Sequence, residues 1–195
     1  MPTQAIRIAV LTVLLAGAHA QQQGSPETKQ APSAGSKTAA QQIVRLSPAA
    51  VPQLPEAVRA ELERRGCLIP QSIRASGPEN FTSGRFRDAG GTDWAVLCSL
   101  NGVSSILVFF QGSAGKVEDI GKRADADYLQ ARAGGGPSGF SRRITTASPD
   151  AIHKRKQNRK VGPFDHDGIE DAFLGQGSLI HYFRNGQWVD LEGAD

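Results

Sequence analysis

The sequence predicts a small α+β domain built around antiparallel β-hairpins, and three features carry that expectation. Asn101-Gly102 and Asn185-Gly186 each stand between apolar runs, the pattern of a two-residue hairpin turn. The stretch LPEAVRAELERRGC has the period and the boundary residues of one amphipathic helix. A second, short helix is signalled at Ser148-Pro149-Asp150.

Taken in order, residues 1–20 read as a secretory signal peptide. Arg7 supplies a positive start, Ile8 to Gly17 is apolar, and Ala18-His19-Ala20 is a small-x-small cleavage motif before Gln21. No cysteine follows the cleavage point, which argues against a lipid anchor, and no later stretch is apolar over the roughly 20 residues of a membrane helix. The expected mature protein is periplasmic or secreted, is cleaved after Ala20, and does not span a membrane. Residues 21–53 are rich in Gln, Ser, Pro, Ala and Lys without a sustained apolar period, and read as a disordered tether. A single domain is expected over residues 54–195.

Within that domain, Pro55 suits the first helical turn. Leu54, Val58 and Leu62 recur at i+4, and Gly66 suits the left-handed residue that ends a helix. Arg59–Glu63 and Glu61–Arg65 belong to its outer face. The runs DWAVLCS and SSILVFF form the first hairpin, and SLIHYFR and QWVDL the last. Between them, Gly134 to Gly139 is a loop without the G-K-[ST] ending of a phosphate-binding loop, and RRITT is a short strand. Ser148 caps the second helix, with Pro149 at its first position. Most aromatic residues of the hairpins, Trp94, Phe109, Phe110, Tyr182, Phe183 and Trp188, are expected in the core.

The full chain carries 22 Lys+Arg against 19 Asp+Glu, and cleavage would remove only Arg7, leaving a net charge of +2. That balance points to no particular partner, and nucleic acid is not expected. The two cysteines, Cys67 and Cys98, read as a disulfide in an oxidising compartment, with two buried thiols as the alternative.

One pattern occurs twice, offset by 78 residues. Gly84-Arg85-Phe86-Arg87-Asp88-Ala89-Gly90-Gly91-Thr92-Asp93 leads into WAVL, and Gly162-Pro163-Phe164-Asp165-His166-Asp167-Gly168-Ile169-Glu170-Asp171 leads into AFL. Both fit G-x-F-x-x-x-G-x-x-D before an apolar strand, as expected for reuse of one structural unit, with copies at 84–110 and 162–191. The second copy resembles the G-D-F-D-G-D-G-x-x-D repeat of FG-GAP and VCBS-type proteins, the integrin-α-like propeller blades. In that family the loop carries acids around calcium at its first, third, fifth and ninth positions. The resemblance implies Asp165, Asp167 and Asp171 as ligands, with the Ile169 carbonyl completing the set and Gly168 making the turn. Pro163 stands at the first position and supplies no side-chain ligand. In the first copy only Asp93 remains; Arg85 and Arg87 replace acids, and a guanidinium is expected to pair with Asp93 in place of an ion. Calcium at weak affinity and a plain Asp-Gly turn both remain open for the second loop. Two copies do not make a propeller, which needs at least four blades, and adhesion of the integrin type does not carry over.

The remaining candidates are few. Lys154, Arg155, Lys156, Arg159 and Lys160 form the one concentrated basic run, suited to an anionic polymer. His153, His166 and His181 form no metal-spaced pair, and His181 reads as an ordinary strand residue. No catalytic constellation stands out. The expected function is therefore a non-catalytic binding module of the envelope or extracellular space, meeting a protein or an anionic polymer. The alternative is a small hydrolase of an envelope polymer acting through the Asp165–Asp171 loop.

Overall fold

Residues 43–131, 138–155 and 157–194 are described by a computed structural model of the chain. The expected signal peptide, most of the expected tether, most of the glycine-rich segment and Lys156 lie outside the described residues.

The expected helix forms as α1, Glu56–Arg64, with Pro55 at its N-cap. Val58 and Leu62 are fully buried, which places the i+4 stripe against the domain. Gly66 has φ +71 and ends the helix: Cys67 N–H donates to Leu62 O and Gly66 N–H to Glu63 O, both at 2.9 Å. These are the paired bonds of a Schellman stop, and a side chain at Gly66 would strain the left-handed backbone.

Strands β3 (Phe81–Gly84), β4 (Asp93–Leu100), β5 (Val103–Phe109) and β6 (Val117–Ala124) form one four-stranded antiparallel sheet in sequence order. Strands β9 (Arg142–Ala147), β10 (Gly168–Phe173), β11 (Gly177–Arg184) and β12 (Gln187–Glu192) form a second. The β4–β5 and β11–β12 turns have positive φ at both Asn and Gly, 53 and 79 in the first, 52 and 82 in the second. That is the backbone of a type I′ turn, whose twist matches the strands it joins. Helix α2, Pro149–Lys154, begins as the sequence predicts: Ser148 Oγ accepts from Ala151 N–H at 3.3 Å. Two short ribbons, β1 (Arg45–Leu46) with β2 (Ile69–Pro70) and β7 (Leu129–Gln130) with β8 (Gly139–Phe140), complete an α+β fold. No sheet among the described residues closes into a barrel, so the two four-stranded units do not form a propeller.

Strand alternation builds the layers. Ala95, Leu97, Ile106 and Val108 point from the first sheet toward Ile144 and Ile169 of the second. The other face of the first sheet, Val96, Cys98, Leu107 and Phe109, packs on Val58 and Leu62 of α1. The outer face of the second sheet, with Ile180, Tyr182 and Leu191, receives Ile152 of α2. Edge strands β3 and β9 are tied by Thr82 and Thr146, whose hydroxyls are 2.6 Å apart. Asn80 (φ 67) reinforces that junction from a buried site: its amide donates to Pro70 O and Arg142 O, and its Oδ1 accepts from Ile144 N–H at 2.9 Å.

Two expectations need correction here. Residues 43–53, read as tether, are part of the fold: they contribute β1, a 3-10 turn and fully buried Val51. Their apolar residues follow no helical or strand period, so the composition hid them. What holds them is specific: Arg45 forms a 2.8 Å ion pair with buried Asp125 and donates to Ser99 Oγ. The second correction concerns Asp93. Among the described residues no arginine pairs with its carboxylate; it accepts from the backbone N–H groups of Phe86, Arg87 and Gln111 at 2.8–3.0 Å. Three amides fix the first-copy loop directly.

Candidate functional site

The Cys67–Cys98 disulfide is present, joining the third residue after α1 to β4 across a sequence separation of 31. The acidic loop is organised by contacts to its neighbours. Asp165 is exposed and its Oδ1 faces His166 Nδ1 at 2.6 Å and accepts from the Tyr182 hydroxyl at 3.1 Å. Those bonds hold its carboxyl below the usual range, the His166 contact first. Asp167 turns toward the other repeat copy: its Oδ2 accepts from Arg85 N–H at 2.9 Å, while its own N–H donates to Arg85 O at 2.9 Å. Ile169 is fully buried within β10, paired with His181 and Thr146. Asp171 lies deeper in the same strand and faces the first sheet. Among the described residues no group of three His, Cys, Asp or Glu side chains is placed to hold a metal ion. The three acids named by the resemblance are therefore each engaged by different partners: Asp165 by His166 and Tyr182, Asp167 by Arg85, and Asp171 by Arg142. The two motif copies do meet, but by hydrogen-bonding to each other.

Asp171 leads to the feature that the sequence reading missed. Arg142, the first residue of β9, is fully buried between the sheets and forms a two-pronged pair with Asp171: Nε to Oδ1 at 2.8 Å and Nη2 to Oδ2 at 2.7 Å. Its remaining donors cross to the first sheet, Nη1 to Ser104 O and Oγ at 3.0 Å and Nη2 to Gly121 O. Those acceptors are available because the β5–β6 register shifts between Ser104 and Ile106, with Gly121 at φ +60. Such a bulge turns carbonyls away from the ladder. A Cβ at Gly121 would stand 3.0 Å from Arg142 Nη2 and 3.1 Å from His181 Nε2, so only glycine lets β6 approach.

His181, read as an ordinary strand residue, is only 5% exposed. Its Nδ1–H donates to Asp190 at 2.7 Å and its Nε2–H faces Asp171 Oδ2 at 3.4 Å. Burial disfavours the imidazolium, but the Asp171 contact and the Asp190 charge outweigh it and raise the His181 pKa. Burial likewise opposes ionisation of Asp171, and the bonds from Arg142 and His181 outweigh it, holding that carboxyl below its ordinary value. Arg142, Asp171, His181 and Asp190 thus form one chain of alternating basic and acidic groups.

Asp171 and His181, backed by Arg142 and Asp190, line an open cleft of about 410 Å³ between β6 and the β10–β11 hairpin. Arg123 and Asp127 stand on one rim, and Tyr128, Phe173 and Leu179 supply apolar wall. Leu179 is 43% exposed, a large apolar side chain left open to the cleft. Burial first, and the Asp171 charge next, raise the Tyr128 pKa, so its phenol stays a neutral donor. Tyr128 also lies over the Arg142 guanidinium at 4.9 Å.

A second groove, about 460 Å³, runs between the two motif loops and includes Arg87, Asp165, His166 and Arg184. His166 stacks on Tyr182 at 4.3 Å, and its Nε2 lies 2.8 Å from Phe183 O. Arg184 donates to Val161 O and Pro163 O, bracing the loop.

No family model, curated protein or solved structure matches this chain.

The basic run lies apart from both concavities. Arg159 donates to His153 O and Lys154 O and so closes the C-terminal end of α2. Lys154 and Lys160 are exposed and Arg155 is half-buried. No helix among the described residues is long and apolar enough to cross a membrane. The signals that were available for the cleft are strand parities. Arg142 shares a face with Ile144, and Asp171 shares one with Ile169, so both charges had to enter the interior if those isoleucines did.

Proposed function

We propose that the protein is an exported, non-catalytic binding module of the cell envelope or extracellular space, and that its ligand occupies the cleft between the two sheets. One observation carries the reading: a largely apolar cleft rests on a polar floor whose groups are fixed by one another. Small-ligand sites commonly combine an apolar concavity with a few preorganised polar groups. The floor also lacks an idle nucleophile or base, because both nitrogens of His181 and both oxygens of Asp171 face protein partners. Export is supported by the N-terminal sequence and agrees with the Cys67–Cys98 bond. Exposed Lys154 and Lys160 give a separate surface for an anionic polymer. A small-molecule fragment screen on isotope-labelled protein tests the reading. Backbone shifts clustered at Gly121, Gln176 and Ser178 are expected. Shifts confined to the loop groove, or none from any fragment, would overturn it.

A specific observation favours one second reading, a hydrolase centred on Asp165. The carboxylate, His166 and Tyr182 are mutually hydrogen-bonded beside an open groove. Hydrolysis of an envelope polymer that is lost in both Asp165→Asn and His166→Gln would favour it over binding alone.

A further inference from the structure

The inter-sheet cleft carries a further inference, which rests on the binding reading above and specifies its ligand. We propose that the cleft takes a neutral saccharide segment, two to three sugar units of a glycan chain.

Charge balance comes first. The described cationic groups at the cleft and its floor are Arg123, Arg142 and His181; the anionic ones are Asp127, Asp171 and Asp190. The floor members neutralise one another within 2.7–3.4 Å, leaving Arg123 and Asp127 as the rim pair. An anionic ligand would meet Arg123 but also Asp127, and a cationic ligand the reverse. Either would desolvate one charge without a partner. A hydroxyl group avoids that conflict because it donates to a carboxylate and accepts from a guanidinium.

The shape and the apolar wall point the same way. The cleft is open rather than enclosed, which suits a length of polymer better than an engulfed small molecule. Tyr128 and Phe173 meet edge-to-face with ring centroids 5.3 Å apart, and exposed Leu179 continues their surface. The C–H face of a pyranose can cover that apolar wall while its equatorial hydroxyls reach the rim, which now includes the neutral Tyr128 phenol. The floor contributes rigidity rather than direct contacts, since its polar atoms are already satisfied.

A charge series tests the proposal on native, isotope-labelled protein. The probes are triacetylchitotriose, which is neutral, its deacetylated and cationic form, the anionic trigalacturonate, and the zwitterionic dipeptide alanyl-alanine. Triacetylchitotriose is expected to shift the amides of Gly121, Gln176 and Ser178 and the rings of Tyr128 and Phe173, with both charged trisaccharides binding at least tenfold more weakly. Arg123→Gln and Asp127→Asn remove exposed side chains that the fold does not need. Each should weaken the neutral trisaccharide about tenfold, the loss of one charge-assisted hydrogen bond. Preferential binding of a charged trisaccharide or of the dipeptide in this cleft would overturn the saccharide proposal and leave the cleft reading intact. The same holds if fragments reach the cleft and no trisaccharide does. Silence of the cleft toward every probe and every fragment would overturn both.

Discussion

Arg142→Met is the sharpest perturbation of this structure. Methionine approximates the aliphatic stem, so the loss falls on the guanidinium. Five hydrogen bonds disappear: two to Asp171, two to Ser104 and one to Gly121. Asp171 is then a buried carboxylate with only His181 to balance it. Breaking a buried ion pair by removing one partner costs about 3–5 kcal/mol. Against a total stability of roughly 5–15 kcal/mol, that is a large fraction. With a urea dependence of about 2 kcal/mol per molar, the unfolding midpoint of the disulfide-intact protein should fall by about 2 M. The double variant Arg142→Met/Asp171→Leu removes both charges and should be less destabilised than the two single losses added, by 1 kcal/mol or more. Urea unfolding followed by tryptophan fluorescence measures all three. A loss below about 1 kcal/mol for Arg142→Met, or strict additivity in the double variant, would refute the view that this pair joins the sheets.

Other outcomes follow from the same geometry. His181 has a raised folded pKa, so its contribution is complete below its unfolded value near 6.5 and is lost as pH rises through the folded value. Asp171 is lowered, so its contribution is present above about 3.8 and is lost as pH falls through the folded value. Thermal stability should therefore peak between about pH 4 and 6.5, and His181→Gln should flatten the alkaline limb specifically. Asn80→Ala leaves Ile144 N–H without its acceptor and puts alanine at φ 67, so a loss of about 2–4 kcal/mol in urea is expected. Thiol titration of unreduced, denatured protein should find no free cysteine, and Cys98→Ala should cost about 3–4 kcal/mol by loop closure. Because Asp165, Asp167 and Asp171 have separate partners, millimolar calcium should leave the melting temperature unchanged; a rise abolished by Asp167→Ala would contradict that arrangement. Binding to a heparin matrix, if carried by Lys154 and Lys160, should fall steeply with salt and weaken in Lys154→Gln/Lys160→Gln.

The legible parts of the fold were the local ones. Asn101-Gly102 and Asn185-Gly186 specify their turns through backbone preferences of two adjacent residues, and Gly66 stops α1 for the same reason. The disulfide needed only a count and a compartment. The place of residues 43–53 in the fold was hidden because they are held by Arg45–Asp125, a partnership spanning 80 positions that no local period signals. The partners of the acidic loop were not legible in its motif. A motif reading treats Asp165, Asp167 and Asp171 as one ligand set, but β10 already begins at Gly168. Strand alternation then turns Asp171 inward, away from Asp165. The cleft required three remote coincidences: the β6 bulge at Gly121, Arg142 on β9, and His181 on β11 between two acids. Each residue is unremarked in its own neighbourhood, and only the stacking of the two sheets gives them a common place.

The central claim is that ligand occupies the cleft over the Arg142–Asp171–His181 floor. It is tested most directly by blocking that cleft with a larger side chain on its wall. Leu179 is exposed there, so Leu179→Trp should fill the space at little cost to stability. Saturation-transfer NMR of the fragments that bind the native protein should lose its signals in Leu179→Trp and keep them in Arg87→Gln, which alters the loop groove and does not line the cleft. Signals that persist in a folded Leu179→Trp protein and vanish in Arg87→Gln would contradict the account.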